Sequence, residues 1–346
     1  MFVSLEIEPD DKTVVVQKKH HVSLAIDCSG SMAGEKIDNA KEAAINVVRN
    51  LSPNDLVSIV TFDAIAQVVL NPTPASDDNI ENIIRSIDLG STTALHDGIS
   101  TGFQLLQHVS QPNVVNVLDV FTDGEPTVPP YEVNDFVQLA QAIRNQGMTL
   151  NVFGIGDDYN EQLLLQLAEC GGGKWEHVSD DDDLTTFVKT QITEMKNTVI
   201  SNPQLQLTLM DGAELSTVAI TKPTLQEIDP RTLPRTNNTW SIGLKNILKG
   251  ESQIVATRIA VPLIEGKVDL LRAQITEGNN VIADETASLS CSDETDLANY
   301  EDNPNPRILL SSSEATLLLR KGLDGDQEAK ERATIILKNI DETDDG

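Results

Sequence analysis

Positive charge is scarce in this chain. Lys and Arg number 25 against 54 Asp and Glu in 346 residues, a formal charge of −29. Such a surface repels phosphate backbones, so no nucleic acid is expected as a partner, whereas a basic or cation-dependent partner fits. Solubility or adaptation to high salt would produce the same acid surplus. Aromatics are only 3% of residues, so the cores must be built from Val, Ile, Leu and Ala. Cysteine is confined to Cys28, Cys170 and Cys291, an odd and widely spaced set without a CxxC pair, which points to a reducing compartment. No apolar run approaches the roughly 20 residues of a membrane helix, and the acidic start lacks an apolar stretch of signal-peptide length. These absences lead to the expectation of a cytoplasmic protein with no membrane span.

Catalytic signatures are missing too. His20, His21, His96, His108 and His177 form no general-base motif, and neither Ser29 nor Ser31 sits in a Gly-x-Ser-x-Gly elbow. The run Gly171-Gly172-Gly173-Lys174 lacks phosphate-loop spacing and reads as a turn before a strand. Asp180 to Asp183 lacks the spaced Gly and terminal Glu of an EF-hand; carboxylates there suit the start of a helix.

What is present is alternation. Residues 22 to 199 switch between apolar runs and amphipathic segments, the pattern of βαβ units around a mainly parallel sheet. Strands are expected at Val22–Ile26, Leu56–Phe62, Ala66–Leu70, Val114–Phe121, Leu150–Ile155 and Trp175–Val178. The short step from Phe62 to Ala66 permits only a hairpin, so Ala66–Leu70 should be an antiparallel edge strand. The last helix of this region is expected over Leu184–Val199.

The loops after these strands carry the chemistry. In Leu-Ala-Ile-Asp27-Cys28-Ser29-Gly30-Ser31, an apolar strand stops at a carboxylate and two hydroxyls on alternate positions, at the strand end where open α/β sheets place their ligands. Three small oxygen ligands cannot fill the six-oxygen shell of Mg²⁺, so distant partners are required. The segments 90–98, with Thr92 and Thr93, and 120–127, with Asp123, offer them. Hard oxygens without His or Cys select Mg²⁺, Mn²⁺ or Ca²⁺ over zinc or copper. Cys28 should turn its side chain away from Asp27, into the core or the underside of the loop.

The set Asp-x-Ser-x-Ser, then Thr, then Asp resembles the metal-ion-dependent adhesion site (MIDAS) of von Willebrand factor A (VWA) domains, as found in bacterial or archaeal intracellular proteins. The resemblance implies the metal ligands Asp27, Ser29, Ser31, Thr93 and Asp123, with Thr93 preferred to Thr92 because Thr-Ala-Leu-His-Asp-Gly fits the family's Thr-x-Leu-x-x-Gly. It implies a doubly wound, Rossmann-like α/β fold. It also implies a coordination position open to an Asp or Glu of a protein partner. His96 would then fill a loop position often held by an aromatic residue. Similar bacterial proteins suggest assembly with an AAA-type ATPase or a kinase/phosphatase system. A metal-dependent hydrolase acting on phosphoesters or peptides is the alternative, because a metal with an open position also activates water.

Beyond Pro203 the period changes to two. Runs at 204–210, Trp240–Leu244, Gln253–Val261, Lys267–Ile275 and Val281–Ser290 read as an antiparallel β-sandwich. Val3–Ile7 and Thr13–Val16 have no place in the α/β sheet and are expected to join that sandwich. The division is therefore 1–19 sandwich strands, 20–200 the inserted VWA domain, 201–292 sandwich, 293–306 a polar linker and 307–341 a C-terminal helical hairpin. The last residues, Asp341 to Gly346, are expected to fray.

Overall fold

The computed structural model describes all residues except 11–17, 110–113, 124, 157–158, 179–180, 224, 263–265, 292–309, 313, 317, 319–326 and 345–346. Two compact units emerge. One comprises Met1–Asp10, Gln204–Ile242 and Gly250–Gly346, the other Asp11–Pro203 and Gly243–Lys249.

Within the first unit, β1 (Phe2–Ile7) belongs to a four-stranded antiparallel sheet. The second unit is built on a six-stranded sheet. Its strands are β2 (Lys19–Asp27), β3 (Leu56–Phe62), β4 (Ala66–Pro74), β5 (Val114–Thr122), β6 (Thr149–Ile155) and β7 (Gly172–Val178), in the order β4-β3-β2-β5-β6-β7. All neighbours are parallel except β3 and β4, which form the antiparallel edge hairpin. β2 and β5 are buried on both faces, which is why they read as nearly continuous apolar runs. Helices α1 (Glu35–Asn50), α2 (Ile80–Arg85), α3 (Leu95–Val109), α4 (Val133–Asn145), α5 (Glu161–Cys170) and α6 (Asp181–Lys196) complete the doubly wound layers. One core packs Val22, Leu24 and Ile26 against α1 and α6; the other packs Ala25, Leu118 and Val120 against α3, α4 and α5.

The strand order reverses between β2 and its neighbours β3 and β5. That switch point lies at the carboxyl ends where Asp27 and Asp123 emerge. The approach of α3 to this end depends on one glycine: a Cβ on Gly98 would stand 2.3 Å from Cδ1 of the buried Phe62. Gly98→Ala should therefore destabilise the unit by about 1–3 kcal/mol despite the better helix propensity of alanine, measured by urea unfolding.

Polar groups are also fixed inside this unit. His20 meets Asp55 at 3.1 Å, and its other ring nitrogen lies 3.3 Å from the Met195 carbonyl on α6. Asp119, wholly buried on β5, accepts hydrogen bonds from Nε2 of Gln191 on α6 at 2.8 Å and from Asn151 at 2.9 Å. Burial pushes its carboxyl up to about 6 against those hydrogen bonds. Because the folded value lies above the unfolded one, this group's contribution to stability is complete below about pH 4 and is lost as pH rises towards 6. Two units correspond to about 3 kcal/mol, of which roughly 1 kcal/mol falls above pH 5. Oε1 of Gln191 is buried without a partner among the described residues, so a flipped amide can accept from a neutral group at position 119. Asp119→Asn should accordingly fold. Its stability advantage over the parent should grow by about 1 kcal/mol between pH 5 and 7.5 in urea titrations.

Three sequence expectations need correction. α6 ends at Lys196, and Thr198–Ile200 is instead a strand, β8, because it pairs with β14 (Ile247–Leu248) of the returning segment. Gly172 to Lys174 are not a turn but the opening of β7; the extended backbone there is recruited by β6. The terminal helix α7 (Gln327–Asp344) continues past Ile340 and Asp341.

Further strands complete the first unit. β9 (Pro203–Leu209) buries Leu205, Leu207 and Leu209 on alternate positions; β10 (Glu214–Lys222), β11 (Gln226–Ile228), β12 (Arg235–Thr236), β13 (Thr239–Gly243), β15 (Gln253–Ala260), β16 (Gly266–Glu277) and β17 (Asn280–Cys291) follow. They form sheets β1-β15-β10-β11 and β12-β13-β9-β16-β17. β1 pairs with β15 from Phe2 opposite Arg258 to Ile7 opposite Gln253. Leu310 packs on Ala219 and Ala256, and Leu318 packs on Ala329 and Ala333 of α7. The expected strand at Thr13–Val16 and the linker at 293–306 lie outside the described residues.

Candidate metal centre

Three loops meet at the carboxyl ends of β2, β3 and β5. Asp27 is the last residue of β2 and fully buried. Its Oδ1 accepts the Ser29 backbone N–H at 2.8 Å, which bends the chain into a short 3₁₀ turn, Gly30–Met32. Its Oδ2 accepts the Thr122 hydroxyl at 2.6 Å. These bonds fix the rotamer of the carboxylate. The hydroxyls of Ser29 and Ser31 lie 3.0 Å apart, and Ser31 donates to Oδ1 of Asp123 at 2.8 Å.

Thr93 lies on the neighbouring loop and is buried. That loop is tied to the first by Gly90 N–H donating to the Cys28 carbonyl at 2.5 Å, and to β3 by Ala94 N–H donating to the Asp63 carbonyl at 2.7 Å. Thr93 N–H donates to the Thr127 hydroxyl at 2.8 Å, and its carbonyl accepts the Thr127 N–H at 3.0 Å. The loop carrying Asp123 is thereby latched to the loop carrying Thr93. Cys28 Sγ turns to the Phe62 carbonyl at 3.4 Å, away from the hydroxyls, and burial pushes its thiol up to about 11. His96 lies in the first turn of α3 rather than in a loop, and stands edge-on to Phe136 with centroids 5.6 Å apart.

Charge at this end is unbalanced. Asp123 has a buried side chain and one cation, the Lys36 ammonium, 2.6 Å from Oδ2. Asp27 has no ion pair among the described residues. Burial pushes its carboxyl up to about 6; hydrogen bonds from Thr122 and Ser29 oppose that rise, and the charge of Asp123 adds to it. A buried carboxylate without a cation, beside serine hydroxyls and a second carboxylate, suits a hard divalent ion. Among the described residues no three His, Cys, Asp or Glu side chains form a metal cage, in keeping with a donor set made largely of hydroxyls.

Lys36, Thr122 and Thr127 were not singled out by sequence. Lys36 has a legible signal, as the only cation in the first turn of the helix that follows the serine loop. Thr122 and Thr127 have none, because a threonine beside a carboxylate looks like any turn residue.

Fold and site together define an α/β protein with its candidate site loops at a topological switch point. Residues 21–192 match the family of the von Willebrand factor type A domain, and the chain belongs to that family through this domain. Among curated proteins it is 26% identical over 218 residues to the uncharacterised protein sll0103 of Synechocystis, covering 62% of this chain and 50% of that one. It is 26% identical over 193 residues to the inter-alpha-trypsin inhibitor heavy chain H1 of Mesocricetus auratus, covering 53% of this chain and 21% of that one. The chain thus spans half or less of the length of these relatives. Among solved structures, a von Willebrand factor type A protein of Catenulispora acidiphila superposes with a TM-score of 0.76 at 18% identity, over 99% of this chain and 87% of that one. The ArnB paralog VWA2 of Sulfolobus acidocaldarius gives 0.59 at 21% identity, over 98% and 84%. These two likenesses concern the fold alone. Domains of this family typically mediate metal-dependent protein–protein interaction. No helix among the described residues is long and apolar enough to cross a membrane.

Proposed function

We propose that this protein is a metal-dependent protein-binding module, in which Asp27, Ser29, Ser31, Thr93 and Asp123 hold Mg²⁺, Mn²⁺ or Ca²⁺ for recognition of a partner's Asp or Glu. The observation that carries the reading is the buried, rotamer-locked Asp27 carboxylate beside the linked oxygens of Ser29, Ser31 and Asp123. When bound, the cation supplies an open coordination position of positive potential for an incoming carboxylate. Every other task falls to the chain. Thr122 and the Ser29 N–H orient Asp27, Thr127 orients the Thr93 loop, and the neutral hydroxyls of Ser29 and Ser31 leave the cation's charge only partly neutralised. Ser31, exposed at the rim, lies on the side open to a partner.

The acid surplus gives the cation its role. Without it, a chain of charge −29 repels an acidic partner; with it, one spot on that surface attracts a carboxylate. Affinity capture in Mg²⁺ and in EDTA tests the reading once the captured protein has been purified. Its binding should vanish in EDTA and on replacing its contacting acid, and equal affinity in both buffers would refute the module. Steady hydrolysis of phosphoesters or peptides, lost in Asp27→Ala, would favour the hydrolase instead.

A further inference from the structure

The base of the α/β unit, at the end opposite the metal loops, holds a second charged site. Arg144 lies in the last turn of α4 and is 3% exposed, and all three guanidinium nitrogens are buried without a hydrogen-bond partner among the described residues. Five N–H donors on a fixed positive charge are thus unsatisfied, one of the costliest arrangements a protein interior can hold. The neighbours do not relieve it. Lys245, half-exposed on the segment Gly243–Lys249, brings a second cation, and the stems of both residues lie over Gly172: a Cβ there would stand 3.5 Å from Cγ of Arg144 and 3.6 Å from Cγ of Lys245. Lys174 contributes a third positive charge nearby, already paired with Glu194. Glu169 and Glu194 act on Lys245 through space, and neither gives Arg144 a hydrogen bond. Cys170, partly buried nearby, is a thiol whose desolvation pushes its titration upward.

Burial pulls Arg144 down to about 10 and Lys245 to about 8, the latter also repelled by Arg144 and Lys174. In a chain with more than twice as many acids as bases, two cations are crowded together while no carboxylate is offered to the buried one. A planar guanidinium with a flexible ammonium beside it is the donor set that grips an oxyanion, the first bidentately and the second as a point charge.

We infer that Arg144 and Lys245 form a binding site for a small tetrahedral oxyanion of the phosphate or sulfate class. The partly buried Lys245 ammonium is the second donor to the anion. A bound oxyanion fastens the segment Gly243–Lys249, which already bonds through Leu244 N–H to the Pro203 carbonyl, onto the end of α4. The site is separate from the metal loops and does not depend on the metal reading.

The test is calorimetric and thermal titration of the full chain with inorganic phosphate in EDTA, against sulfate, acetate and chloride at equal ionic strength. Phosphate and sulfate should bind at one site and raise the unfolding temperature, with acetate and chloride without effect. Arg144→Met should fold, because it removes an unpaired buried charge, and should lose the response entirely. Lys245→Met, at a half-exposed position, should weaken phosphate about tenfold and serves as the readout if Arg144→Met does not fold. A phosphate response no larger than that of chloride, or one unchanged in either variant, would overturn the site; acetate binding as well as phosphate would overturn the tetrahedral class.

Discussion

Asp27→Ala is expected to remove divalent-metal binding and, with it, all metal-dependent capture of a protein partner, while leaving the fold in place. The carboxylate is one of two charged ligands in the proposed set, with Asp123, and is held by Thr122 at 2.6 Å and by the Ser29 N–H at 2.8 Å. Loss of groups that merely orient ligands costs about 10–100-fold in metal affinity, so loss of this ligand should cost at least about 100-fold. Stability should move much less in EDTA. Burial already makes the Asp27 charge unfavourable, and its removal relieves that cost while leaving the Thr122 hydroxyl to find another acceptor. The measurement is the shift in unfolding temperature on adding Mg²⁺ to parent and variant. A large shift in the parent and none in Asp27→Ala is expected, with circular dichroism unchanged.

Lys36→Met should act in the opposite direction and tighten metal binding. The ammonium, 29% exposed, sits 2.6 Å from Oδ2 of Asp123, whose side chain is fully buried, and so serves as the resident monovalent cation of the site. A dication placed among these oxygens must displace it or suffer its repulsion. Removing one partner of a buried pair costs about 3–5 kcal/mol, a figure to be reduced here because the lysine is partly solvated. If about 1–3 kcal/mol of metal-free stability is lost and the cation restores it, the cycle requires metal affinity to rise by about 10- to 100-fold. Urea unfolding in EDTA should show the destabilisation, and Mg²⁺ calorimetry the gain. Weaker binding in Lys36→Met would mean that the lysine supports the site rather than competing for it.

Much of this architecture is legible in the residues themselves. The buried strands β2 and β5 are continuous apolar runs, and the step from Phe62 to Ala66 leaves room only for a hairpin. Asp27, Ser29, Ser31, Thr93 and Asp123 stand out because each follows or opens such an element. The parts that escaped depend on distant partners. Thr198–Ile200 becomes a strand through Ile247 and Leu248, almost fifty residues later, so helical periodicity alone carried the expected helix too far. Glu214–Lys222 lies behind an Asp-Gly turn and has mixed polarity, and it becomes a central strand because β15 and β11 flank it. Lys36 is legible as the lone cation in the first turn of α1, but its partner Asp123 comes from 87 residues away. Arg144 was invisible because its pattern is that of a helix-ending basic residue, while its stem lies over Gly172 beside that of Lys245, about a hundred residues later.

The central claim is that three loops of this chain converge on one divalent cation. Crystals of the full chain grown with Mn²⁺ and measured for anomalous scattering test it most directly. The account predicts the strongest peak at the carboxyl end of β2, about 2 Å from oxygens of Ser29 and Ser31, with the Lys36 ammonium withdrawn from Asp123. A strongest peak elsewhere, or none at saturating Mn²⁺ with the Lys36–Asp123 pair intact, would contradict it.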